Sequence, residues 1–144
     1  EERKWAEKII AEVVFSLLKY QDGVTGLWCQ VVDKPERQGN WHESSCSMLF
    51  TCAILRCIRL GLLPQAAMQQ ALKGLRGVHS CVQIQKDNTF LLSKICVGTG
   101  IGSYEYYIQR ETSTNDLHGM GAYLLLCSEA IGATKEKFFV EIKD

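Results

Sequence analysis

The sequence has no net charge: sixteen basic and sixteen acidic residues cancel. That excludes the strongly basic face that nucleic acids and anionic membranes require of a partner. No stretch of about 18 apolar residues runs without a charge, so no membrane-spanning helix is expected. The first ten residues, EERKWAEKII, lack the basic-then-apolar pattern of a secretion signal. A G-x-x-x-x-G-K-S/T phosphate loop is missing as well. The seven cysteines, at positions 29, 46, 52, 57, 81, 96 and 127, form no C-x-x-C pair. An odd number without close pairs speaks against both a zinc site and a disulfide framework. Cys46, Cys52, Cys57 and Cys127 fall inside apolar helices and read as buried, reduced thiols. A reducing compartment, the cytoplasm, is the expected location. Only Cys46, four residues after His42, comes near a histidine in a polar setting, which disfavours a cysteine nucleophile.

What the chain does have is two polar clusters, each opening into a strongly apolar helix. GNWHESS, residues 39–45, leads into CSMLFTCAILRCIRLG, and STNDLHG, residues 113–119, leads into MGAYLLLCSEA. Each cluster holds a carboxylate and a histidine, Glu43 with His42 and Asp116 with His118. Such groups at the mouths of buried helices are costly unless they meet a ligand, water or each other. Two such mouths predict a shared cavity with polar walls, suited to a carbohydrate.

At 144 residues the chain predicts one domain over its whole length, 1–144. A helix is predicted from Arg3 to Tyr20, with Ile9, Ile10, Val13, Val14, Leu17 and Leu18 on one face. Residues 26–33 read as a short extended segment. A second helix is predicted from Asn40, where Asn40 and Glu43 have capping-box spacing, and its apolar residues leave it buried nearly all round. Pro64 opens a third, one-faced helix ending near Leu75. Val82 and Ile84 with Phe90 to Leu92 form a small hairpin turned at Lys86-Asp87-Asn88. A fourth helix, apolar on most sides, starts near Ser113 and Asp116 and runs to about Ala130; the tail TKEKFFVEIKD is expected to be loosely attached. One-faced and all-apolar helices alternate as outer and inner layers of an α/α toroid. The expected fold is therefore all-α, a partial (α/α)6 barrel with a small β-hairpin. Open helical edges would expose apolar surface, which a second copy of the chain is expected to cover.

The stretches YQDGVTGLWCQVVDKPERQGNWHESSCSMLFTCAILRCIRLGLL and ICVGTGIGSYEYYIQRETSTNDLHGMGAYLLL resemble the C-terminal part of the unsaturated rhamnogalacturonyl hydrolases, glycoside hydrolase family 105. The likeness runs from about Lys19 to Ala130 and rests on GLWxQ, NWxESS, VGTxxG and YYxxRExSTNDLHGxGA in order. It implies an (α/α)6 barrel acting on pectic oligosaccharides whose non-reducing end is an unsaturated uronic acid. In the implied reaction a carboxyl group protonates the C4=C5 double bond at C4, and water adds at C5. The hemiketal then collapses and releases the partner sugar. No metal and no cofactor are implied. The family's catalytic aspartate lies in an N-terminal portion without a counterpart here, so the acid/base is unassigned and the chain alone is expected to be inactive.

Trp41, Glu43, Val97, Thr99, Arg110, Asp116 and His118 are the candidate substrate-binding residues. Trp41 offers an aromatic face to a sugar ring or fills a core. Glu43 binds hydroxyls or caps its helix. Val97-Gly98-Thr99-Gly100 brings backbone N–H groups close to a ligand. Arg110 pairs with a uronate or ties a local carboxylate. Asp116 and His118 form an acid/base pair or a structural network. Two other functions fit the same residues: a catalytically dead carbohydrate-binding module, and a helical assembly module using its open edges.

Overall fold

The computed structural model describes residues 1–135. Among these residues the chain is mostly helical, with three small antiparallel strand pairs. Helix α1 spans Glu2–Leu17 and tightens into a 3-10 turn, Leu18–Tyr20. Strand β1, Trp28–Cys29, pairs with β2, His42–Glu43. Helix α2 follows at Ser44–Arg59, and α3 at Met68–His79 after a 3-10 turn over Gln65–Ala67. Strands β3, Val82–Ile84, and β4, Phe90–Leu92, form the expected hairpin. Strand β5, Ile95–Cys96, pairs with β6, Thr112–Ser113, around the short helix α4, Tyr104–Ile108. Helix α5 runs over Leu117–Lys135. Residues 136–144, most of the tail expected to be loose, lie outside the described residues.

Helix α2 is the centre of the molecule and packs against α5, α3 and α1. Met48, Ile54 and Leu55 are fully buried on it, and they meet Trp28, Leu92, Ile95 and Leu126 in one core. Its buried hydroxyls are all used, as buried polar groups must be. Ser44 Oγ donates to Ser93 O, Ser47 Oγ to Glu43 O and Thr51 Oγ1 to Ser47 O. Small residues bring α3 close. A Cβ on Gly74 would lie 2.3 Å from Thr51 Oγ1, and one on Gly77 would lie 2.3 Å from Thr25 O. This contact carries α3 past the predicted end at Leu75 to His79. The glycines that weaken helix propensity are the ones that permit the approach.

Two helix starts differ from the prediction. Helix α2 begins at Ser44 rather than Asn40, and its cap is Glu43, whose side chain accepts from Ser45 N and Cys46 N. The Asn40 amide instead closes the preceding loop: Oδ1 accepts from Val31 N, and Nδ2 donates to Val31 O and Lys34 O. Ser113 lies in β6 and caps nothing; Asp116 Oδ1 accepts from His118 N at the start of α5. A third difference concerns burial. Ala122, Leu126 and Ala133 of α5 are buried, but Leu124 is 66% exposed and Leu125 52%. On α1 only Val14 is buried, while Trp5, Val13 and Phe15 are more than half exposed. The expected alternation of covered and one-faced helices thus holds for α2 but not for α5.

Candidate functional site

The strand pairs assemble an open cleft of about 590 Å³ at the N-terminal ends of α2 and α5. Gln30, Glu43, Ser45, Cys96, Val97, Gly98, Thr99, Tyr107 and His118 line it. Pairing of β1 with β2 sets Gln30 and Glu43 on one wall, and pairing of β5 with β6 presents Cys96 and the glycine loop opposite. The two walls are stitched together by Ser44 N, which donates to Lys94 O at 2.9 Å.

Glu43 is the anchor of the site. Only 2% of its surface is exposed. Oε1 accepts from Ser45 N and from Cys96 N, the latter at 2.8 Å. Oε2 accepts from Cys46 N, and the Ser45 hydroxyl sits within 2.9 Å of both oxygens. Three backbone N–H groups and a hydroxyl therefore share one carboxylate, whose charge also complements the positive end of α2. Its acceptor capacity is committed, which makes Glu43 a positioning residue that joins β2, α2 and β5. The same carboxylate, together with burial, pushes the Cys46 thiol up from its ordinary pKa, burial being the larger cause.

The glycine loop is held from behind. Tyr106 and Tyr107 hydroxyls accept from Gly100 N and Gly102 N at 3.2 and 3.1 Å. Arg110 Nη2 donates to Gly98 O, and the guanidinium lies over the Tyr106 ring, 5.2 Å from its centroid. Arg110 Nε is buried without a hydrogen-bond partner. Thr99 Oγ1 donates to Val97 O at 3.0 Å and lies 3.2 Å from Cys96 Sγ, which accepts from Gln30 Nε2. On the far wall His118 Nδ1 lies 2.6 Å from Asp116 Oδ1. Hydrogen bonds from the His118 backbone N–H, then from its ring, hold the Asp116 carboxyl below its ordinary value.

Of the seven candidates, Glu43, Val97, Thr99 and His118 line the cleft. Asp116 reaches it only through His118, and Arg110 only through the loop it ties. Trp41 sits behind the wall, its indole N–H donating to Ile108 O at 3.2 Å. Trp28 is wholly buried against Phe50, as core. Gln30, Ser45 and Cys96 went unassigned by the sequence. Gln30 and Ser45 are letters of GLWxQ and NWxESS, so the motifs already carried their signal. Cys96 had none, because it reads as one more apolar thiol. Among the described residues that line the cleft, Glu43 is the sole carboxylate. Among the described residues, no group of three His, Cys, Asp or Glu side chains is placed to hold a metal ion.

The model of Glycosyl Hydrolase Family 88 matches residues 1–134. The chain belongs to this family. A solved glycoside hydrolase from family 105 of C. acetobutylicum ATCC 824 superposes with a TM-score of 0.86 at 34% identity. It covers 92% of this family 88 chain, which spans 39% of that one. A Klebsiella pneumoniae structure, described as a possible member of the GH105 family, superposes at 0.72 over 84% of this chain and 30% of its own. At 24% identity it supports the fold alone. Protein Atu3128 of Agrobacterium fabrum and the 24.9 kDa protein in the picA locus of Rhizobium radiobacter are each 30% identical over 74% of this chain. The chain spans about half (52%) of the length of these curated relatives. The family 105 likeness of the motifs agrees with these matches.

Proposed function

We propose that this chain forms part of a glycoside hydrolase that removes an unsaturated uronic acid from pectic rhamnogalacturonan oligosaccharides. The reaction is hydration of the C4=C5 double bond, followed by collapse of the hemiketal. The chain supplies one wall of the substrate cleft, and the acid/base comes from outside it. The observation that carries this reading is the cleft itself, in a member of a glycoside hydrolase family. It is sugar-sized and walled by a carboxylate anchor, a glycine loop and an imidazole. Glu43 holds the walls in register, Arg110 and Asp116 position the loop and His118, and Val97 and Thr99 face the sugar. Trp41 supports the wall from behind. No cofactor takes part. The seven cysteines are free, five of them buried, which suits a cytoplasmic protein. No helix among the described residues is long and apolar enough to cross a membrane.

The test is addition of purified chain to an unsaturated rhamnogalacturonan disaccharide. Calorimetry follows binding, and loss of the double bond's ultraviolet absorbance follows turnover. Binding without turnover is expected. Turnover would place an acid/base within these residues, and absence of binding would overturn the carbohydrate reading.

A second reading, an assembly module, is favoured by the bare apolar faces of α1 and α5. In it the chain is one sector of an (α/α)6 ring, and a second copy covers the open edge. A dimeric mass by sedimentation supports it; a monodisperse monomer rules out the second copy.

A further inference from the structure

Glu43, ahead of α2, and His118, in the first turn of α5, both line the cleft, and their spacing needs a fixed frame. The end of the β3–β4 hairpin supplies one, because backbone atoms between residues 90 and 94 hold both helix mouths. On the α2 side, Ser44 Oγ donates to Ser93 O at 2.8 Å and Ser44 N to Lys94 O at 2.9 Å. On the α5 side, Asn115 makes three bonds. Its Oδ1 accepts from Leu92 N at 2.7 Å, its backbone N–H donates to Leu92 O at 2.9 Å, and its Nδ2 donates to Phe90 O at 3.1 Å. Leu92 is fully buried, so its N–H and C=O have to be paired. Asn115 stands in for a strand residue here, exchanging two bonds with Leu92 as an antiparallel neighbour would. It does so at φ +58°, a left-handed backbone that few residues besides glycine, asparagine and aspartate adopt readily.

We infer that Asn115 is a positioning residue: by clamping the chain to the end of β4 it fixes where α5 begins, and so where His118 stands in the cleft. This rests on the hydrolase reading above and deepens it. The path from Asn115 to the ring is short. Asp116 comes next in the chain, and its Oδ1 accepts from His118 N at 3.2 Å and lies 2.6 Å from His118 Nδ1. The Asp116 carbonyl accepts from Met120 N at 2.9 Å and so starts the helical ladder. Gly119 fixes the same turn from another side. A Cβ there would lie 2.5 Å from Ile95 Cδ1, so the turn rests directly on β5. Half of the His118 side-chain surface is open to solvent, so packing around the ring does not place it; the backbone frame does. Asn115 does not line the cleft and acts on it through the backbone it holds. The hairpin therefore serves the site, since the end of one strand carries both mouths.

The experiment compares wild type with Asn115→Gly, Asn115→Asp and Gly74→Ala. Glycine keeps the left-handed backbone and the backbone bond to Leu92 O, and loses both side-chain bonds. Aspartate keeps the acceptor for Leu92 N and loses the donor to Phe90 O. Gly74→Ala crowds Thr51, mid-helix in α2, and serves as a destabilised control. Each protein is held well below its melting temperature. Calorimetry with the unsaturated rhamnogalacturonan disaccharide is expected to show binding at least about fivefold weaker for Asn115→Gly, a size met between coupled residues. Asn115→Asp falls between, and Gly74→Ala binds as wild type does. A second readout needs no sugar. The NMR signals of the His118 ring shift, and amide exchange at Leu92 and His118 accelerates, in both Asn115 variants but not in Gly74→Ala. Unmoved His118 signals or wild-type affinity in the Asn115 variants, or an equal loss of affinity in Gly74→Ala, overturns the positioning role and leaves the hydrolase reading standing. Wild type that does not bind the disaccharide sinks the hydrolase reading, and the His118 signals then decide the positioning role by themselves.

Discussion

Glu43→Ala removes the side chain that ties three elements together, and its cost follows from the bonds it makes. The capping bonds to Ser45 N and Cys46 N are lost, at about 1 kcal/mol for a helix cap. Water reaches those two N–H groups once the side chain is gone, so no further cost is counted for them. Cys96 N is different. It lies in a buried strand, and Glu43 Oε1 is its acceptor at 2.8 Å. An orphaned buried donor costs about 1–3 kcal/mol. The sum is about 2–4 kcal/mol. With an m-value of about 2 kcal/mol/M, the urea midpoint falls by about 1–2 M. Amide exchange at Cys96 accelerates alongside it. A loss below about 1 kcal/mol with unchanged Cys96 protection would refute the anchor role and return Glu43 to the candidates for direct sugar contact.

Gly77→Ala places a methyl 2.3 Å from Thr25 O, a backbone atom that cannot swing aside. Overpacking of about 1–3 kcal/mol and a melting temperature lower by several degrees are expected, and an unchanged thermal melt would show that α3 does not approach so closely. Glu129 is buried between α2 and α5, accepting from Arg56 Nε at 2.9 Å and Arg59 Nε at 2.7 Å. Burial pushes its carboxyl up, but the two guanidiniums outweigh that and hold it below the ordinary 4.5. A depressed folded-state value means stability that is fully present above pH 4.5 and is lost as pH falls through the folded value. Glu129→Gln should therefore cost most at neutral pH and progressively less in acid. Urea midpoints measured down the acid limb check this, and a gap between wild type and variant that stays constant would overturn it.

Three features show where the sequence is legible and where it is not. Apolar periodicity marks α1, α2, α3, α5 and the β3–β4 hairpin, because each is long enough to repeat. The two-residue pairs β1–β2 and β5–β6 have no period to read, and they are what builds the cleft. Capping shows the same limit. Asn40 and Glu43 satisfy a box spacing, yet pairing of Trp28 with Glu43 holds that stretch extended, so the helix waits until Ser44. The Glu43 carboxylate then turns inward to its own helix and to Cys96 N, fifty-three positions away.

By itself the sequence determined the helical character, the two polar mouths and the family, since these rest on local period and on motifs read in order. Only the tertiary structure decided that Glu43 is a committed anchor, that Trp41 and Arg110 stand behind the wall, and that His118 faces the cleft. Those facts depend on which distant segments meet. A residue's reach across space is set by strand pairing and helix packing, and neither is written in the spacing of its neighbours.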